Sequence, residues 1–191
     1  MTAGARDFTT LAALKAWIPV AGNADDDVLQ RLITNISSWM ENELSRNIYV
    51  TTVDEIRNGT GTDRLMLTEF PTVAVTSLEI NGTAVPLSAA WNMPGYVVSD
   101  FSIVLRGGLR FTRGVQNVHV VYTAGYADDP DSVPLELQQS CLELCHLRYK
   151  ERPFVGVQSK SLGGETITFS DKDMPKSVAV TMDNYRKRLP L

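Results

Sequence analysis

The stretch from Asp25 to Asn47 sets the terms for everything else in this chain. Val28, Leu29, Leu32, Ile33, Ile36, Met40 and Leu44 recur at helical spacing and share one stripe. Asp25, Asp26 and Asp27 stand where the positive helix end and its open N–H groups favour carboxylates. Arg46 stands near the other end, where a cation suits the open carbonyls. Gln30, Asn35, Ser38 and Glu41 are assigned to the outward side. Trp39 falls at the stripe's edge, within reach of a neighbouring element. A stripe this broad needs other elements packed on it.

Those partners are found on both flanks. Thr9 and Thr10 precede Leu11, Leu14, Trp17 and Ile18, the pattern of a short capped helix stopped by Pro19. Far downstream, Pro134 opens a helix carrying Leu137, Cys141, Leu144 and Arg148. Pro175 opens another with Val178, Met182, Tyr185 and Leu189 on one seam, expected over 175–189. Residues 155–170 between them are polar and glycine-bearing, a flexible loop or loose hairpin.

The period switches to alternation after Asn47. Val50–Arg57, Arg64–Leu67, Val73–Ile80, Tyr96–Ser99, Ser102–Leu105 and the run Val118, Val120, Tyr122 read as strands. The slip between Val75 and Leu78 suits a bulge or a change of sheet face. Asn81-Gly82 is a two-residue hairpin signal. The expected fold class is α+β: mainly an α-helical bundle of about four helices with an inserted antiparallel β subdomain. The helical part takes residues 1–49 and 127–191, and the insertion takes 50–126.

Composition narrows the functional classes. A net charge of −4 gives no global case for nucleic-acid binding. No apolar run reaches bilayer length, and Met1 to Asp7 lacks the apolar core of a secretory signal. The chain therefore reads as soluble and intracellular, with Cys141 and Cys145 as reduced thiols. Acids outnumber bases over 127–171, and bases outnumber acids over 172–191.

No chemical constellation assembles. Cys141 and Cys145 share a helical face, but His146 points about 100° away from Cys145, too far for a common metal. Gly107-Gly108 and Gly163-Gly164 match neither the Walker spacing nor the dinucleotide fingerprint. Asp128, Asp129 and Asp131 lack the ligand spacing of a calcium loop. No catalytic, metal or cofactor set is expected, so the chain reads as a non-enzyme. Arg106, Arg110 and Arg113 gather about a turn without a nearby acid, a phosphate-facing or acid-facing patch at most. A nucleic-acid-binding module built on that Arg-bearing β hairpin is the alternative function.

Read in order, the chain resembles the head–tail connector (adaptor, or head-completion) proteins of tailed bacteriophages. The resemblance runs through Leu14, Lys15 and Trp17, then Asp25, Asp26, Leu29, Gln30, Leu32 and Ile33. It continues through Glu43, Arg46, Leu65, Leu67, Pro71 and Val73. Val120, Tyr122, Gly125, Tyr126, Pro134, Tyr149, Arg152 and Gly156 complete it. The β insertion is larger than in the smallest family members.

The resemblance implies a homo-oligomeric ring, a dodecamer matching the portal's symmetry. The ring docks under the portal protein in the virion neck and extends the channel for double-stranded DNA. It offers a platform to a stopper or tail-completion protein, and it assembles in the host cytoplasm without a membrane. A ring subunit needs head-to-tail contacts that close by rotation. Trp39, Gly156, Lys160, Gly163, Gly164 and Phe169 are the candidates for contacts between copies. Tyr185, Arg186, Lys187, Arg188 and Leu189 are the candidates for the portal contact, the basic end suiting an acidic surface.

Overall fold

The computed structural model describes residues 6–20, 22–152, 159–162, 165–168 and 174–187. The chain divides into two compact units. One is drawn from Met1–Arg46 and Asp129–Arg188, the other is centred on Asn47–Asp128.

The first unit holds α1 (Leu11–Trp17), α2 (Asp26–Leu44), α3 (Leu135–Glu151) and α4 (Lys176–Tyr185). Thr10 caps α1, its Oγ1 accepting from the Ala13 N–H at 3.2 Å. The stripe of α2 buries Leu29, Ile33, Ile36, Met40 and Leu44, with Val28 and Leu32 half-buried at its margins. α3 adds Leu137, Cys141, Leu144 and Cys145, and α4 adds Val178 and Met182. α2 packs on α1, α3 and α4, and α3 packs on α1 and α4. Each fully buried aliphatic side chain here is worth about 1.5–3 kcal/mol.

Gln30 departs from the outward side assigned to it. It is buried, and its Nε2 donates to Asp7 Oδ2 at 2.6 Å. Asp7, Phe8 and Thr9 are buried as well, and the Phe8 N–H donates to Ser37 Oγ at 2.8 Å. The apolar stripe is thus extended by a polar seam that receives the segment before α1.

Within 155–170, β8 (Ser159–Leu162) and β9 (Glu165–Thr168) pair antiparallel. The other residues of that expected loop lie outside the described residues. α4 stops at Tyr185, short of the expected residue 189.

The second unit contains β1 (Thr51–Gly59), β2 (Arg64–Met66), β3 (Thr72–Ile80), β4 (Thr83–Ala84), β5 (Gly95–Ser99), β6 (Ser102–Arg106) and β7 (Gly114–Ala124). They form an antiparallel four-stranded sheet, β1-β7-β3-β4, and an antiparallel three-stranded sheet, β2-β6-β5. Val118, Val120, Tyr122 and Ala124 alternate to the inner face of β7. They join Leu78 and Ile80 of β3, Tyr96 of β5 and Ile103 and Leu105 of β6 in one core. The slip between Val75 and Leu78 is a bulge, with the register shifting between Val75 and Ser77. It returns Leu78 and Ile80 to the inner face. Asn81 and Gly82 have φ of +53° and +72°, the primed turn that matches strand twist.

A polar latch closes one side of this core. The buried Tyr122 hydroxyl donates to Glu55 Oε1 at 2.5 Å and accepts from the Glu69 N–H at 2.9 Å. Arg57 Nη1 donates to Glu55 Oε2 at 3.1 Å and to Thr68 Oγ1 at 2.9 Å.

The fold class differs from the mainly helical one expected. Among the described residues the strands hold nearly as many residues as the helices, so the chain is mixed α+β. The β unit has two paired sheets and a core of its own, and is no appendage to a bundle. The reason is physical. A helix declares itself within one stretch, whereas short strands gain their stability from partners distant in sequence.

Candidate assembly surfaces

Several residues that carried the family resemblance come together at one corner of the helical unit. Lys15 Nζ donates to Gly22 O at 2.7 Å, Asn23 Oδ1 at 2.9 Å and Asp26 Oδ1 at 2.8 Å. This ties α1 to the start of α2. Beside it, Asp25 Oδ2 accepts from the Tyr149 hydroxyl at 2.8 Å, and Asp25 Oδ1 accepts from Arg152 Nη1 at 3.4 Å. The Arg152 guanidinium lies 5.4 Å from the Tyr149 ring centroid. The bond to Asp25 holds the Tyr149 phenol above its ordinary pKa. These residues fasten the end of α3 to the start of α2.

The expected portal-contact tail is folded back as far as the structure describes it. Tyr185 is half-buried at the end of α4. Arg186 pairs with Glu43 on α2. The Lys187 N–H donates to Leu44 O at 2.9 Å, filling one of the carbonyls a helix end leaves open. Trp39 stands out of α2 with 41% of its surface exposed. Lys160 falls in β8, in register with Ile167. Gly156, Gly163, Gly164, Phe169, Arg188 and Leu189 lie outside the described residues.

Arg106, Arg110 and Arg113 are all exposed at one end of the β unit. Arg110 Nη1 donates to Gly61 O at 3.3 Å, and the Arg113 side chain runs along Gly61. Sequence reasoning grouped these arginines but missed the asparagines that organise the loops bearing them. Only the recurrence of Asn-Gly steps at 58–59 and 81–82 hinted at it.

Among the described residues no group of His, Cys, Asp and Glu is placed to hold a metal ion. Cys141 and Cys145 are buried, and their mutual hydrogen bond, with burial, pushes the Cys145 thiol far up. A thiol so held is a poor nucleophile and a poor ligand. No described helix is long and apolar enough to cross a membrane.

The fold is similar to a chain from the neck of an empty gene transfer agent (GTA) particle, computed with C6 symmetry. The TM-score is 0.60 and the identity 17%, covering 100% of this chain and 95% of that one. A chain from the neck of the native particle, computed with C12 symmetry, gives 0.60 and 15% over 100% and 94%. A chain from the native particle's virion gives 0.57 and 16% over 95% and 90%. No curated protein matches in sequence. The family model described as head completion protein matches residues 7–188, through both units. With the match reaching from the buried Asp7 to the tail beyond α4, the chain belongs to the head completion protein family.

Proposed function

We propose that this chain is a structural subunit of the neck of a tailed virion or virion-like particle. Copies form a closed ring, a dodecamer, against the portal protein. The ring extends the channel for double-stranded DNA without reading its sequence, and passes contact on to a stopper or tail-completion protein. The protein performs no chemistry of its own, and assembly takes place in the host cytoplasm.

The observation that carries this reading is the family match over residues 7–188. The neck chains of similar fold, from particles analysed with C6 and C12 symmetry, support a ring. The folded-back tail adds a detail: Arg186 and Lys187 are held against α2, so they shape the docking end by closing the helical unit.

Electron microscopy of the purified chain mixed with its portal tests the proposal. The expected result is a ring of this chain coaxial with the portal. A portal left bare at saturating chain would overturn it. Truncation after Asp171 removes α4 with Val178 and Met182, and is expected to abolish docking. Undiminished docking would show that the terminal helix has no part in it.

A further inference from the structure

One end of the β unit is framed by asparagine side chains. Segments 58–64, 81–82 and 106–117 meet there, and Asn117 binds them. Its Oδ1 accepts from the Gly59 N–H at 2.8 Å. Its Nδ2 donates to Thr112 O at 2.8 Å and to Asn81 Oδ1 at 3.1 Å. Asn58 Oδ1 accepts from the Gln116 N–H at 2.7 Å. Among the described residues three non-glycine positions have positive φ, and two of them, Asn81 and Gln116, are in this frame. The φ at Asn81 belongs to the hairpin turn, whereas Gln116 has no glycine beside it and is held by the bond from its N–H to Asn58.

What the frame holds out is specific. Val115, next to Gln116, is 82% exposed. Arg64, Arg106, Arg110 and Arg113 are exposed in the same segments, against one acid, Asp63. Contact with phosphates asks for cations and has no use for a presented valine. An exposed aliphatic side chain and guanidiniums presented from the same hydrogen-bonded segments suit a protein-binding surface.

The complement is present in the chain itself. Leu135, the first residue of α3, is 78% exposed. Asp129, Asp131 and Glu136 flank it, all exposed. Asp129 Oδ1 accepts from the Ser132 N–H at 2.8 Å, which fixes the turn and holds that carboxyl below its ordinary pKa.

We propose that the Val115 end of the β unit docks on the Asp129–Glu136 segment of a second copy of this chain. Val115 meets Leu135, and the arginines meet the carboxylates. Two different patches on every copy make a head-to-tail contact, the kind that closes rings. The inference rests on the ring reading for its biological setting, and its test is independent of the portal.

Disulfide trapping between full-length chains tests it. V115C chains are mixed with L135C chains in a glutathione buffer at low and high salt. The native thiols are buried, and the unsubstituted chain controls for them. V180C, at an exposed valine on α4, is the control partner. The V115C–L135C pair is expected to form roughly tenfold faster than V115C–V180C or either homodimer. Added salt should erase the preference. R110E/R113E should abolish it, and D131R/E136R in the other chain should restore it.

Trapping no faster than the V180C control overturns the contact, even where microscopy finds a ring on the portal. Preferred trapping with a bare portal upholds the contact and removes the neck reading instead. Loss of double-stranded DNA binding in R110E/R113E, with no trapping preference, would assign the arginines to nucleic acid and overturn the proposal.

Discussion

Tyr122 shows how much one hydroxyl supports. It is wholly buried, yet joined to Glu55 and to the Glu69 N–H. Tyr122→Phe would leave a shielded carboxylate and an amide short of a partner, at a cost of about 1–3 kcal/mol. The urea midpoint should fall with the slope unchanged. Burial, then the bond to Glu55, raises the phenol well above its ordinary pKa of 10.0. A raised folded-state pKa stabilises fully below the unfolded value, and the contribution is lost as pH climbs through the folded one. Stability should therefore decline above pH 10.0 as the phenol is drawn to ionise by unfolding. At the other unit, Asp25→Asn should bring the Tyr149 phenol back toward its ordinary range. Ultraviolet titration, against the unsubstituted protein, reads both tyrosines. Neither bond was visible beforehand, because Tyr122 with Glu55 and Tyr149 with Asp25 are far apart in the chain.

At the level of elements, the turns were the most legible and the loop frame the least. Asn81-Gly82 announced its hairpin, since a type I′ turn needs two positive φ values. Gly82 has open space around its missing Cβ, so Gly82→Ala carries only the left-handed backbone penalty of roughly 1–2 kcal/mol. Gly59 is constrained for another reason: an added Cβ would stand 1.8 Å from the Thr112 carbonyl oxygen. Gly59→Ala must push the end of β1 away from the segment that precedes β7, and should lower the melting temperature more than Gly82→Ala does. The reverse order would show that the 58–62 and 106–117 segments are loosely joined. α2 was legible because its stripe is continuous in sequence. Gln30 was misread because the same pattern marks polar residues as outward, and nothing local reveals Asp7 waiting to receive it.

For the whole molecule, the helices drew attention that the strands had equally earned. The residues of α2 and α3 carry their own period, while β1, β7 and β3 are recognisable as one sheet only once paired. Two separate cores have a testable consequence. Truncation after Asp171 should cost hydrogen-exchange protection in α2, which loses Val178, Met182 and the Lys187 N–H as neighbours. Amides of β7 from Val118 to Tyr122 should keep theirs. Equal loss in both would mean that the units fold as one. The segment ahead of α1 carries a practical lesson of its own. Phe8 is sunk to nothing exposed, with Asp7 and Thr9 at its sides. Trimming residues ahead of a first helix is ordinarily harmless tailoring, but a recombinant version begun at Thr10 would leave a hollow the size of a phenyl ring.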